Sequence, residues 1–146
     1  MNQEDIAKYG DELYDALTQR HTLSPLTQRA SEITIEDAYR ISLRMVQRRV
    51  DAGEKIVGKK IGVSSKAVQE MLNVHQPDFG FLTNGMVYDN GCDMPISTRL
   101  IQPRAEGELA FRLKSDLIGP NFSDEDVLAA TESVVPCFEI VDSRIE

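Results

Sequence analysis

Between Glu106 and Leu113 polar and apolar residues alternate, and this constrains the fold of the chain more than any other feature. Glu106, Glu108 and Arg112 share one parity; Gly107, Leu109, Phe111 and Leu113 share the other. Successive side chains of a β-strand leave on opposite faces, so the segment predicts a strand with one buried face and one charged face. The same period puts Glu106 and Glu108 on one side with origins ~6.6 Å apart, so their carboxylates can converge on one ion. Two such charges ~5 Å apart at an effective dielectric of ~20 repel by about 3 kcal/mol, which a metal or a proton relieves. Taken alone, an E-x-E spacing is more commonly the wet face of an edge strand.

Glu139 changes that weighing. It is a carboxylate set into the apolar strand Cys137-Phe138-Glu139-Ile140-Val141, where a charge without a partner or a metal is expensive to bury. Three carboxylate oxygens fit a hard ion such as Mg²⁺ or Mn²⁺, which takes six oxygen ligands and so keeps three positions for water and substrate. A small 2-oxo acid carries adjacent keto and carboxylate oxygens that could fill two of them, with the metal acting as Lewis acid and template.

Two further residues are candidates for proton transfer. Lys60 lies in a predicted strand, Lys55 to Val63, among apolar and glycine neighbours, where a lysine can neutralise a carboxylate or serve as an acid. A solvent-facing lysine beside Lys59 fits the sequence as well. The two glycines of that strand, Gly58 and Gly62, suggest close backbone approach. Asp78 falls in the stretch His75-Gln76-Pro77-Asp78-Phe79-Gly80, expected to be a loop because proline and glycine interrupt any regular period. Function often collects in such loops, yet Asp is also an everyday turn residue, and His75 reads the same way. No nucleophile elbow or glycine-rich phosphate cradle occurs.

Around these candidates the chain reads as α+β, with N-terminal helices over residues 1–54 and the first part of a β-rich catalytic domain over 55–146. Ile6, Tyr9, Leu13, Ala16 and Leu17 recur at helical spacing behind Asn2 as a cap. A loop containing Pro25 follows, and Thr34 with Asp37 three residues on opens a second helix reaching about Gly53. Ser64 and Ser65 can cap a short helix through Leu72. Short strands are expected near Phe81 and from Met86 to Tyr88. Ser123 with Asp126 starts a helix through about Val134, before a strand from Phe138 to Asp142. The chain stops at Arg144-Ile145-Glu146, directly behind an apolar run, so a fold that continues past Glu146 is expected.

Charge and composition exclude several roles. A formal charge of −8 argues against nucleic acid as a partner, because phosphate binding needs clustered Lys and Arg. The basic run Arg44 to Arg49 reads as a solvated helix face. No stretch approaches the ~20 apolar residues of a membrane span, and the acidic start is unlike a signal peptide. Cys92 and Cys137 match neither a disulfide framework nor a zinc motif, which fits a reducing cytoplasm.

Two segments together carry a family resemblance. Ile101-Gln102-Pro103-Arg104-Ala105-Glu106-Gly107-Glu108-Leu109-Ala110-Phe111, followed by Pro136-Cys137-Phe138-Glu139-Ile140-Val141-Asp142-Ser143-Arg144, resembles the metal-site signature of the fumarylacetoacetate hydrolase superfamily. Within it, Gly53-Glu54, Gly58-Lys59-Lys60-Ile61-Gly62-Val63 and Val74-His75-Gln76-Pro77-Asp78-Phe79-Gly80 are similar to the 2-keto-4-pentenoate hydratases of aromatic meta-cleavage pathways. The resemblance implies that Glu106, Glu108 and Glu139 ligate Mg²⁺ or Mn²⁺, and that Lys60 and Asp78 line the substrate pocket and assist proton transfer. The implied reaction is addition of water to 2-hydroxypenta-2,4-dienoate to give 4-hydroxy-2-oxopentanoate, in a homo-oligomer that could associate with a decarboxylase of the same pathway. Rival expectations are the sister 4-oxalocrotonate decarboxylase and a non-catalytic oligomer partner. The family fold continues beyond the length of this chain.

Overall fold

Asn2 opens the first helix: its side-chain oxygen accepts from the Asp5 amide at 2.8 Å, satisfying one of the donors that a helix start leaves unpaired. The computed structural model describes residues Met1–Glu146. Helix α1 runs Gln3–Gln19, a single turn α2 covers Leu26–Arg29, and α3 covers Ile35–Asp51. Thr34 and Asp37 close α3 with a reciprocal capping box, as their spacing predicts. Strand β1 (Ile56–Gly62), helix α4 (Lys66–Leu72) and strand β2 (Asp78–Thr83) follow, then a 3₁₀ turn at Asn84–Met86 and a short helix α5 (Ile96–Arg99). The chain ends with β3 (Pro103–Leu113), α6 (Asp124–Ala130) and β4 (Thr131–Asp142). This is the expected mixed α+β composition, built on two antiparallel ribbons, β1 with β2 and β3 with β4.

Contacts divide the chain into one unit of residues 1–101 with 144–146, and a second of residues 102–143. The helices of residues 1–54 thus share a unit with the β1–β2 ribbon. The C-terminal residues join the same unit because Leu23 donates to the Arg144 carbonyl at 2.8 Å and accepts from the Glu146 amide at 3.0 Å.

In the first unit α1 and α3 lie close together because Gly10 has no side chain. A Cβ there would fall 2.5 Å from Arg44 Cβ and 2.9 Å from the Ile41 carbonyl oxygen. Ile6, Tyr9, Ala30 and Ile41 form the core that this approach seals. The rim is charged: Arg44 makes two hydrogen bonds to Asp11, at 2.8 and 3.0 Å, and Arg48 reaches the same carboxylate at 3.0 Å. The basic run is therefore largely spent on intramolecular pairs. At the end of α3, Arg49 donates to both Glu54 oxygens at 2.9 Å, and the fully buried Thr83 donates to Glu54 as well. Glu54 thereby ties α3 to β2.

The structure corrects four expectations. The segment His75–Gly80 is not a loop throughout, since β2 begins at Asp78, which pairs with Gly62. No strand covers Met86 to Tyr88; Asn84 instead exchanges hydrogen bonds with Lys55, its side chain accepting the Lys55 amide at 2.7 Å, and closes the ribbon there. Helix α6 stops at Ala130 rather than near Val134, because Thr131, Val134 and Val135 are β-branched and Pro136 follows, all of which favour extended backbone. The apolar parity of β3 is not buried within its unit: Leu109, Phe111 and, across the ribbon, Phe138 at 79% are exposed, since a two-stranded ribbon has no layer of its own to set against that face. No helix is long and apolar enough to cross a membrane.

The Met1 amine, 2.9 Å from Asp37 Oδ1, together with Thr34, holds the Asp37 carboxyl down to about 2, from an ordinary value of 3.8. A carboxylate with a depressed folded value stabilises the fold above its unfolded pKa and loses that contribution as pH falls through the folded one. Asp37→Asn should therefore lower the denaturation midpoint at pH 7, with the gap to wild type closing as the pH approaches 2. Urea titrations of both proteins across that range are the check. Gly10→Ala should cost about 1–3 kcal/mol in the same assay, because its Cβ meets helix backbone.

Candidate functional site

The register of the second ribbon decides which side chains meet. Glu106 stands directly opposite Glu139, and Glu108 opposite Cys137. Directly opposed residues, and residues two apart on one strand, share a face, so Glu106, Glu108 and Glu139 converge. One carboxylate oxygen from each lies within 4.8 Å of the other two. Glu106 and Glu108 are exposed and Glu139 is half-buried.

The donor set is chemically uniform: three carboxylates and no nitrogen or sulfur ligand. That composition suits a hard, oxygen-seeking divalent cation and not a soft one. A six-coordinate ion with bonds of ~2.1 Å places its ligand oxygens about 3–4 Å apart. The observed spread is slightly wider, within reach of small side-chain rotations. Opposed like charges destabilise a ribbon, so the arrangement carries an electrostatic cost that a cation would remove.

Lys60 and Asp78 are brought together on the first ribbon. Lys60 pairs in register with Gly80, and Asp78 with Gly62, so both side chains project from one face; Lys60 Nζ lies 3.5 Å from Asp78 Oδ1. The two residues, read separately in the sequence, thus form an ion pair, with Asp78 on a strand and not in a loop. A loose, partly exposed ion pair of this kind contributes little to stability. Directly after β1, Val63 adopts φ 55°, a conformation that a β-branched residue rarely accepts, and its carbonyl is held by the Gln69 side chain at 2.9 Å. That strain, and the Glu54–Arg49–Thr83 cluster, had no legible signal in the sequence. His75 lies outside both groupings.

An α+β chain built on two antiparallel ribbons, with a glutamate triad on one and a lysine–aspartate pair on the other, matches the part of a fumarylacetoacetate-hydrolase-like fold that the sequence resemblance implies. No family model matches the chain. Among known proteins, it is 64% identical over all 146 residues to 2-hydroxypent-2,4-dienoate hydratase of Pseudomonas putida, covering 66% of that protein. It is 59% identical over 145 residues to 2-hydroxyhexa-2,4-dienoate hydratase of Comamonas testosteroni, covering 55% of it. The fold superposes with a TM-score of 0.93 on 4-oxalocrotonate decarboxylase from Pseudomonas putida G7, complexed with magnesium and adipate, at 32% identity over the whole chain and 55% of that structure. The chain belongs to this family of dienoate hydratases and oxalocrotonate decarboxylases, and it spans about half to two thirds of the length of these relatives.

In the presence of a chelator, Glu106→Gln should relieve the repulsion across the ribbon by about 0.2–1 kcal/mol, slowing amide hydrogen exchange along β3 and β4 by up to about fivefold. Unchanged or faster exchange would show that the three carboxylates do not oppose one another in solution.

Proposed function

We propose that this chain carries the metal-binding part of a hydratase that adds water to 2-hydroxypenta-2,4-dienoate, giving 4-hydroxy-2-oxopentanoate in the breakdown of aromatic compounds. The observation that carries the proposal is the convergence of Glu106, Glu108 and Glu139, in a chain 64% identical to a hydratase of that substrate. These three residues would hold Mg²⁺ or Mn²⁺; the magnesium of the related decarboxylase supports the first. The ion supplies Lewis-acid and template chemistry for a 2-oxo acid.

Hydration of a conjugated dienol requires a proton to be delivered to carbon and another to be taken from water, and both steps need an acid or base with hydrogen-bond reach. Lys60 and Asp78 are assigned that work. The lysine amine is the group that gives or takes the proton, and the carboxylate 3.5 Å away is the group that exchanges with it. Sequence supports the hydratase over the decarboxylase, at 64% against 32% identity. A homo-oligomer is supported by the apolar side chains exposed on β3 and β4, and a cytoplasmic setting by the free Cys92 and Cys137.

Incubation of the chain with 2-hydroxypenta-2,4-dienoate and Mg²⁺ should remove the substrate's ultraviolet absorbance and yield a product heavier by one water, both abolished by chelator. Release of CO₂ from 4-oxalocrotonate without hydration would assign the decarboxylase instead. Calorimetric titration separates the ligand and proton-transfer roles: Glu108→Ala should lose Mn²⁺ affinity and turnover together, whereas Lys60→Ala should keep the affinity and lose turnover. Equal Mn²⁺ affinity in wild type and Glu108→Ala would overturn the ligand assignment.

A further inference from the structure

Three glycines surround Lys60 on its face of the β1–β2 ribbon. Gly58 and Gly62 flank it on β1 at two-residue steps, and Gly80 stands opposite it on β2. The other side chains of this face are Leu82, opposite Gly58, and Asp78, opposite Gly62. None of the three glycines has a positive φ, a conformation confined among the glycines to Gly53, Gly91 and Gly119. Backbone geometry therefore does not require glycine at 58, 62 or 80, and in a strand interior glycine weakens pairing. What these positions provide is room.

The room is unevenly distributed. A Cβ on Gly62 would lie 2.5 Å from Asp78 Oδ1 and 2.6 Å from Lys60 Nζ, inside contact distance of both charged ends. A Cβ on Gly80 would lie 3.2 Å from Lys60 Cγ and 3.3 Å from Cδ, along the stem. At Gly58 the nearest atom is Leu82 Cδ1 at 3.8 Å, an ordinary contact. The lysine thus lies over Gly80 and ends above Gly62, where it meets Asp78.

We infer that Gly62 and Gly80 are positioning residues: they form a side-chain-free floor that lets Lys60 lie along the ribbon and deliver its amine to Asp78. The inference deepens the proton-transfer role proposed for that pair and rests on that reading for its functional meaning. Gly62 controls where the two charged ends meet, and Gly80 controls the path of the lysine stem. A methyl group at 62 displaces both partners, because their ends are flexible and yield before the backbone does.

The geometry can be read without turnover. A water-soluble carbodiimide activates the Asp78 carboxyl, and an adjacent amine displaces the urea by-product to form an amide, with net loss of one water from the protein. In the wild-type chain this should link Lys60 to Asp78, detected by peptide mass spectrometry. Gly62→Ala should abolish most of the link, Gly80→Ala should reduce it, and Gly58→Ala should leave it unchanged. Where wild type turns over, Gly62→Ala should lower kcat on the order of tenfold or more with a smaller change in KM, the signature of misplaced proton-transfer groups. Wild-type linking in Gly62→Ala, or no Lys60–Asp78 link in wild type, would overturn the inference. If Gly62→Ala does not fold, the contrast between Gly80→Ala and Gly58→Ala decides it, equal linking in the two being the contrary result. The graded linking pattern in a chain that hydrates nothing would uphold the floor and reject turnover by this chain alone.

Discussion

The antiparallel register of β3 on β4 is the constraint on which the metal-centre assignment depends. With Glu106 opposite Glu139, all three glutamates share one face. A slip of one residue would send Glu139 to the apolar face beside Leu109 and Phe111 and dissolve the triad. Local features pin that register: Gln102 donates its backbone amide to the Asp142 side chain at 2.8 Å and its side-chain amide to the Ser143 carbonyl at 3.0 Å, while Lys114 donates to the Ala130 carbonyl at 2.8 Å at the other end. The ribbon is thus clamped at both ends, and the opposed charges sit between the clamps.

Much of this was legible from local chemistry. The caps at Asn2, Thr34, Ser65 and Ser123 all place helix starts, because a short polar side chain before an apolar periodic run satisfies the amides a helix leaves open. Alternation located β3 and its acidic face, and an isolated glutamate in an apolar stretch singled out Glu139. Long-range pairing was less legible. Asp78 read as a loop residue because Pro77 and Gly80 are turn signals, yet Gly80 is needed in the strand by the lysine across from it. The α6–β4 boundary was misplaced because the capping box declares where a helix begins and says nothing about where tertiary pairing ends it.

Burial was the least legible property. Sequence alternation tells which face of β3 is apolar, not what covers it, and in residues 102–143 nothing covers it. Glu139 illustrates the same point from the other side. Its apolar neighbours in sequence suggest a buried charge, but alternate neighbours in a strand point away from it, and on its own face it meets Glu106 directly. The feature that marks Glu139 is therefore its position opposite Glu106 more than the apolar character of its neighbours in sequence.

The two ribbons solve opposite electrostatic problems with the same period-two geometry. On β3 and β4, three carboxylates are gathered onto one face, to which β3 also contributes Arg104 and Arg112 at even-numbered steps. On β1 and β2, opposite charges are placed at adjacent register positions and the intervening side chains are removed, so the pair is complete within the chain. Metal affinity and proton transfer make different demands: the first needs unneutralised negative charge, the second a base and an acid that exchange a proton reversibly. The lysine stands on a separate ribbon, beside Asp78, so the proposed proton-transfer pair and the proposed metal ligands are held by different strand pairs.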